Sequence, residues 1–519
     1  MALISIIQDF HPLTDSRLLQ RAQELLQVLH HDVRYPLGAF RLKQHCCRER
    51  EELTVQHFSS LSLGKGEDLC LDFGEHLVGH VTLEFSFSGS HPDAPAFIKL
   101  QFAESDRELY EDSRSYAGWL SGSWIQEEVI HVDELPAHLT LPRRYAFRYL
   151  RITVLDTSPK YKLVVKQAEC LTESSADPSA LSSRRSAGDA RLDAICDVSL
   201  KTLSECMQEV FEDGPKRDRR LWIGDLRLQA LTNYVSFKNY DLVKRCLYLF
   251  GGNRFPDGRV SACLFTKPSV EADDTFLLDY ALMYTVSLEE YLQETQDTET
   301  LNDLYEIAMQ QVDYALSRCG EDDLLDPSAI KDAFIDWGDT LDKAACIQGV
   351  LIYALDYACR LAERKQDGPR ARHLRMRQNR LREAAFHAFW SDRDQCFLSN
   401  GQLSAATQVW MTLADAASPE KTLSAMKKAL SLVSAEPKME TPYMHHCFVM
   451  ALLHAKLREE AVDHLKAYWG GMIDAGADTF WECWDGEDPD RSPYGGSIVN
   501  SYCHAWSCTP AYIIDRFLT

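Results

Sequence analysis

Apolar residues recur along this chain with two different periods, and the change from one to the other divides it. Residues 15–31 place Leu18, Leu19, Ala22, Leu25, Leu26 and Leu29 on one helical face, which predicts a short leading helix. From about Leu53 the period falls to two. Seven short alternating runs follow, at 69–73, 80–87, 96–102, 126–132, 137–141, 149–154 and 162–166, separated by Gly, Pro, Asp and Ser. So many strands with no helix between them predict an antiparallel β-sandwich. A stretch rich in Ser, Ala and Asp with Pro178 then reads as a linker, and beyond it the spacing is three or four to the end. The organisation expected is a helical or extended lead-in over 1–52, a β-sandwich over 53–173, a linker over 174–188 and a helical domain over 189–519.

Helices are expected near 189–211, 226–239, 241–250, 274–295, 298–317, 341–364, 369–390, 404–417, 420–433, 442–455, 458–470 and 497–517. Their connections alternate. Short turns follow every second helix and join antiparallel neighbours, whereas the connections 212–225, 251–273, 318–340, 391–403, 434–441 and 471–496 are mostly long. Six such hairpins can close into an (α/α)6 toroid with every long loop at one end, around a single pocket.

Those loops carry an unusual load. Asp213–Asp225 packs three Asp, four cations, a Trp and two Gly into thirteen residues, where a connector needs only a few polar ones. Asp257-Gly-Arg259, Glu271-Ala-Asp-Asp274, Phe334-Ile-Asp-Trp-Gly-Asp339 and Thr479-Phe-Trp-Glu-Cys-Trp-Asp485 continue the theme. Four of the ten Trp, namely Trp222, Trp337, Trp481 and Trp484, fall here beside carboxylates. A sugar ring stacks its C–H faces on aromatic planes and hydrogen-bonds its hydroxyls to carboxylates and guanidinium groups, so this mixture points to a saccharide pocket. Paired carboxylates also supply the acid and base of glycosidic cleavage. His445, His446 and His504 are placed on inner helices facing the pocket, either as satisfied structural residues or as substrate contacts.

Composition narrows the picture. The chain has 519 residues, enough for a catalytic-size domain and an accessory one. With 78 acidic residues against 55 basic and a net charge of −23, it is poorly suited to nucleic acid or anionic membranes. The apolar opening Met1–Ile7 lacks a basic flank, and no run approaches the roughly 20 apolar residues of a spanning helix. Sixteen Cys are scattered, Cys46 and Cys47 are adjacent, and no C-x-x-C or zinc-ligand spacing occurs, which fits reduced thiols in a cytoplasmic protein without metal or cofactor. Homodimerisation is compatible with these features, although no stretch specifies an interface.

Several of these pieces resemble the bacterial α-L-rhamnosidases of glycoside hydrolase family 78: Asp213-Gly-Pro-Lys-Arg-Asp218 running to Gly224-Asp225, Asp336-Trp337, Trp481-Glu482 with Trp484-Asp485, and Ser501-Tyr-Cys-His-Ala-Trp506. Leu71-Asp-Phe-Gly74 with Gly79, and Phe147-Arg-Tyr-Leu-Arg151, are similar to the β-domain that precedes the helices in that family. The resemblance, over about residues 54–519, implies inverting hydrolysis of terminal α-L-rhamnosides by an acid and a base roughly 6.5–9.5 Å apart. By position Glu482 is implied as the base. Asp213, Arg217, Asp274, Asp336 and His504 are expected as sugar contacts, and Trp222, Trp337, Trp481 and Trp484 as walls. The acid departs from the family pattern, which reads Asp-Cys-Pro-x-Arg-Asp-Glu-Arg before Leu-Gly-Trp. Here the segment is one residue shorter, so the family Glu falls on Arg219 when aligned from the left and on Asp218 when aligned from Gly224-Asp225. An Arg cannot donate the proton at neutral pH, so Asp218 is the first expectation and Asp225 the second. The expected substrate is a rhamnose-containing oligosaccharide or small glycoside. Two alternatives stand beside it: a six-hairpin sugar epimerase using the His pair, and a non-catalytic sugar-binding relative.

Overall fold

The computed structural model describes residues 10–44, 49–53, 58–181 and 186–519; the opening Met1–Ile7 and the Cys46–Cys47 pair lie outside them. Its N-terminal part is an antiparallel sheet. A short β1 (Leu13–Thr14) stands apart and pairs with Asn253–Arg254 of the helical part. The sheet proper runs in the order β2 (Val33–Arg34), β9 (Tyr161–Thr172), β5 (Asp68–Gly89), β8 (Ala137–Asp156), β6 (Ala96–Ala103) and β7 (Glu127–Val132), with β3 (Gly38–Gln44) joining β5 to β4 (Glu49–Leu53). The runs expected at 69–73 and 80–87 are two halves of β5, and those at 137–141 and 149–154 are two halves of β8. The ladder between these strands shifts register between Asp72 and Leu77 and again between His80 and Thr82. Such irregularities bend a strand, so each long strand serves both layers. Leu69 and Leu71 from one half of β5 accordingly share a core with Leu83 and Phe85 from the other. β2, β3 and β4 come from the stretch read as a lead-in.

Helix α1 (Ser16–Glu24) starts at Asp15, whose carboxylate accepts from Arg17 N at 3.0 Å and Leu18 N at 3.2 Å. It is shorter than the 15–31 pattern, because Leu26 and Val28 stay exposed and give a longer helix nothing to bury. The helical domain begins with α2 (Ala190–Cys206) and continues through α3 (Ile223–Val235), α4 (Tyr240–Gly252), α5 (Leu278–Thr295), α6 (Thr298–Ser317), the short α7 (Pro327–Lys331), α8 (Ala344–Arg364), α9 (Gly368–Phe389), α10 (Ala405–Leu413), α11 (Pro419–Leu430), α12 (Pro442–His454), α13 (Arg458–Asp474) and α14 (Pro510–Ile513).

Alternate helices differ in burial, as hairpins stacked around a common axis require. α3, α5 and α12 are buried almost all round, whereas α9, α11 and α13 bury one face. The inner helices pack in succession, α3 on α5, α5 on α8, α8 on α10 and α10 on α12, and α12 returns to α3. α14 lies against α2 and α3 and completes the circuit. α8 is long and apolar enough by composition to cross a membrane, a run that the sequence reading passed over; it is a mostly buried inner helix of this ring.

The last expected helix, 497–517, is a correction. Ser497–Val499 and Ala505–Ser507 are single 3-10 turns, and only Pro510–Leu518 is helical, α14 passing into a π turn. Its apolar residues are spaced to fill loop packing: His504 N donates to Phe480 O at 2.9 Å and Ala505 N to Asp213 O at 3.0 Å, bonds that tie the segment sideways to two other loops.

Candidate active site

A cavity of about 750 Å³ opens at the end of the ring where the inner helices begin. Its wall is drawn from the connections before α3, α5, α8 and α12 and after α13, together with Trp119, Leu120 and Trp124 from the β6–β7 connection of the sheet domain.

The Asp213–Asp225 stretch is folded around the Asp213 carboxylate, which accepts from Asp218 N at 3.2 Å and Arg220 N at 3.0 Å. A Cβ on Gly214 would lie 2.5 Å from the Arg217 carbonyl and 2.9 Å from Ser501 Oγ, so only glycine lets the turn close against the C-terminal loop. Arg219, at φ 61°, swings its guanidinium away from the cavity and donates to Arg144 O of the sheet domain at 3.0 Å. Asp218 and Arg220 line the cavity. Lys216 is buried and donates to the Ile498 and Asn500 carbonyls at 3.1 and 2.9 Å while pairing with Glu108 of the sheet domain.

Glu482 is held from three directions. Arg217 donates to its Oε2, Tyr494 OH donates to its Oε1 at 2.6 Å, and its main-chain carbonyl accepts from Trp506 Nε1 at 2.9 Å. Arg217 Nε donates in turn to Val499 O at 2.7 Å, and its guanidinium lies 4.1 Å from the centre of the Tyr494 ring. Burial pushes the Glu482 carboxyl up from its ordinary value, and Arg217 opposes that push.

Four carboxylates, those of Asp213, Asp218, Asp225 and Glu482, share this small volume. Asp213 is pushed up to about 8, by burial first and the Asp218 charge second. Asp225, in the first turn of α3, is driven well above the usual carboxylate range by burial and then by Asp213 and Glu482. His504 stands with Nδ1 3.5 Å from Asp225 Oδ1, and burial, aided by Arg217, holds its imidazole neutral, well below its ordinary value. Neither of these two facing atoms has a hydrogen-bond partner. Asp225 and His504 thus offer a neutral acid and a neutral imidazole to a ligand.

Of the residues expected from sequence, Asp213, Arg217, Asp218, Trp222, Asp225, Asp274, Trp337, Glu482 and His504 all line this cavity. Asp336, Trp481 and Trp484 do not. Asp336 is buried and spends its oxygens on the backbone N–H groups of Trp337, Glu440 and Thr441, at 2.9, 2.9 and 3.1 Å, so it shapes the loop rather than meeting a ligand. Trp481 packs edge-on against Trp484 and Tyr502, under Arg107 of the sheet domain. Arg217 lines the wall, but its fork is committed to Glu482 and Val499. The His pair is also corrected: His445 stacks on Tyr468 at 3.7 Å and pairs with His464 Nε2 at 2.8 Å, and His446 faces a different cavity.

Sequence reasoning missed Trp119, Trp124, Tyr280, Arg491, Tyr494 and Trp506 as wall residues. The signal for the first two was legible: residues 104–126 join consecutive strands of a sandwich, where a few residues suffice, and hold two Trp and two Tyr. Among the described residues no group of three or more His, Cys, Asp or Glu is arranged to hold a metal ion.

A pocket walled by Trp, lined by clustered carboxylates and set at one mouth of a ring of helical hairpins is the construction of a glycoside hydrolase. The family comparisons agree. The glycosyl hydrolase family 78 alpha-rhamnosidase N-terminal domain matches residues 41–172, and the bacterial alpha-L-rhamnosidase 6 hairpin glycosidase domain matches residues 183–517. The chain belongs to the bacterial α-L-rhamnosidases of glycosyl hydrolase family 78, and it is a glycosidase that releases rhamnose. A rhamnosidase from Klebsiella oxytoca, solved with rhamnose bound, is 42% identical, with 98% of this chain and 99% of that one covered at a TM-score of 0.92. The fold is also shared with a family 78 rhamnosidase of Bacillus sp. GL1, 21% identical over 90% of this chain and 49% of that one, TM-score 0.73. The Streptomyces avermitilis α-L-rhamnosidase complexed with L-rhamnose is 17% identical over 94% and 44%, TM-score 0.67. No curated protein matches the chain.

Proposed function

We propose that the chain removes terminal L-rhamnose from small α-L-rhamnosides with inversion, Glu482 serving as general base and Asp218 as general acid, in a pocket at one mouth of an (α/α)6 toroid. The observation that carries this reading is the contrast between two neighbours: Asp218 lines the cavity, whereas Arg219 sends its guanidinium to the sheet domain. Of the two residues that alignment offers for the acid, the carboxylate is the one on the pocket wall.

Glu482, paired with Arg217 and oriented by Tyr494, takes the proton of a water that attacks the anomeric carbon. Asp218 gives its proton to the departing glycosidic oxygen. Asp213 and Asp225, neutral through burial, can donate hydrogen bonds to sugar hydroxyls, which ionised carboxylates cannot. Trp222, Trp337 and Trp506 supply apolar faces for the ring and its C6 methyl.

We also infer a reducing, cytoplasmic setting. In support, the fourteen described Cys are free, and the Sγ atoms of Cys206 and Cys503 lie 4.0 Å apart without a bond.

The test is proton NMR of the hydrolysis of p-nitrophenyl α-L-rhamnoside beside a panel of other aryl glycosides. β-L-Rhamnose as the first-formed anomer, from the rhamnoside alone, is expected. α-L-Rhamnose appearing first would overturn inversion, and release from the other glycosides in preference would overturn the substrate.

A further inference from the structure

The ring has a second mouth. The inner helices run in the same direction, so that residues at or before their first turns, such as Asp225 of α3 and Tyr280 of α5, line the active-site cavity. Residues further along the same helices line another cavity of about 540 Å³: Arg227 and Leu231 of α3, Glu290 of α5, Tyr353 and Tyr357 of α8, and His446 of α12. The two cavities share no lining residue.

The second lining has the chemistry of a sugar site and the charge balance of a neutral one. Each cation is answered by a carboxylate. Arg227 grips Glu290 with Nε at 3.1 Å and Nη2 at 2.8 Å, Arg360 pairs with Asp356 at 2.5 Å, and His454 and Arg382 meet Asp415 at 2.8 and 3.7 Å. A free ion, of either sign, finds no uncompensated partner there. Tyr353, Tyr357 and Trp410 contribute aromatic surface, the two tyrosine rings being 5.0 Å apart and Trp410 6.1 Å from Tyr353. Tyr353 OH accepts from Arg227 at 2.8 Å and shares a 2.7 Å hydrogen bond with Tyr357 OH.

Polar capacity is left over. Nδ1 of His446 and Nε1 of Trp410, both on residues at least 98% buried, have no hydrogen-bond partner. Burial, with Arg227 second, holds the His446 imidazole neutral at about 3, so it can accept as well as donate. Such orphaned groups in a lined cavity mark unmet hydrogen-bonding demand.

We propose that this second cavity binds a small neutral polyhydroxylated ligand of the monosaccharide class, at the end of the helical ring opposite the hydrolytic pocket. The volume suits one or two sugar rings, the tyrosines and Trp410 offer faces for C–H stacking, and the balanced ion pairs offer hydroxyl partners without net charge.

The full-length protein is titrated calorimetrically with L-rhamnose, D-glucose, D-mannose and D-galactose, in wild type and in two cavity variants. At least one sugar is expected to bind with a stoichiometry of two, or of one where the hydrolytic pocket ignores it, with a dissociation constant of the order of 1 mM. Met450 also lines the cavity, and Met450→Trp, which fills it, is expected to remove one equivalent. Tyr357→Phe, which deletes a single hydroxyl, is expected to weaken that equivalent by about three- to tenfold. If Met450→Trp does not fold, as judged by circular dichroism, Tyr357→Phe decides alone. Absence of any binding beyond a single equivalent that p-nitrophenyl α-L-rhamnoside competes away overturns the proposal. So does a second equivalent that keeps its affinity in the folded variants.

Discussion

Arg217 and Glu482 form a buried ion pair in which the guanidinium is itself tethered, through Nε, to the Val499 carbonyl at 2.7 Å. Arg217 therefore sets the position of the carboxylate and offsets the burial that would otherwise protonate it. The consequence is visible in a pH profile. Since the base must be ionised, the acidic limb of kcat/KM reports its deprotonation in the free enzyme. In Arg217→Gln the Glu482 carboxyl loses its cation and rises further, so that limb is expected to move to higher pH. Glu482→Gln is expected to lower kcat by about 10²–10⁴-fold at every pH with the fold retained. An unshifted limb in the first variant, or near wild-type turnover in the second, would remove Glu482 from the role of base.

Asp218 and Arg219 separate by leaving-group dependence. An acid matters most when the departing oxygen is strongly basic, so Asp218→Asn should cost about 10²–10⁴-fold on an alkyl rhamnoside and far less on 2,4-dinitrophenyl rhamnoside. Arg219→Ala, which removes only the contact to the Arg144 carbonyl, should show the same modest loss on both. Rates measured on the two substrates check this, and equal losses in Asp218→Asn would pass the acid role to Asp225.

How far the chain revealed itself follows from which information is local. The alternation of short and long helix connections is a local property, and it led to the hairpins and to the loops that share one mouth. The place of Glu482, Asp218 and Trp222 on the cavity wall was legible because each loop carries a concentration of costly residue types. Asp336 and Trp481 carry the same composition, but Asp336 caps neighbouring backbone and Trp481 fills a gap between domains, outcomes decided by three-dimensional packing. Chemistry alone set Arg219 aside as the acid, but where its side chain goes was not readable from one dimension, because its left-handed backbone is what turns the side chain out. Apolar spacing over 497–517 imitated a helix where the loop lodges Ile498 and Val499 in one apolar cluster and Tyr502, Cys503, Ala505 and Trp506 in another.

Asp213 makes stability depend on pH. Its carboxyl is raised in the folded protein to about 8, so the folded state holds a proton that the unfolded chain releases near its ordinary value of 3.8. The associated stability is complete below the unfolded value and is lost as pH rises through about 8. Asp213→Asn has no titrating proton and keeps an acceptor for one of the two donors, Asp218 N or Arg220 N, which bind different oxygens of the carboxylate. Its melting temperature is expected to fall less than that of wild type between pH 5 and pH 9, and parallel curves would refute the assignment.

Trp119 reaches the cavity from the sheet domain, is 57% exposed and donates its indole N–H to Pro493 O at 2.9 Å. A half-exposed indole at the mouth suits the part of the substrate beyond the cleaved bond. Trp119→Ala is expected to raise KM for a flavonoid rhamnoside several-fold while kcat changes little, and to leave methyl rhamnoside unaffected. Steady-state kinetics on the two substrates distinguish this from a general loss of fold.

Gly118, one residue earlier, couples the two domains to the reaction. Its Cα faces the loop that carries Tyr494, and a Cβ there would stand 1.8 Å from the Tyr494 carbonyl oxygen, a backbone atom that cannot rotate aside. The neighbouring Tyr116 OH donates to that same carbonyl at 2.9 Å, while the Tyr494 side chain holds Glu482 at 2.6 Å. Gly118→Ala must therefore push the 491–502 loop, and with it one of the two groups that hold the Glu482 carboxylate. A displacement of the order of 1 Å at a reacting group costs about 10²-fold. Overpacking of this kind also costs about 1–3 kcal/mol of stability, seen as a lowered melting temperature. Gly122→Ala is the control, since its Cβ would have only Tyr116 Cδ1 at 3.6 Å for company. A large loss of kcat in the first variant with none in the second would show that the sheet domain, which carries none of the four clustered carboxylates, sets the position of the base; equal activities would confine that task to the helical ring.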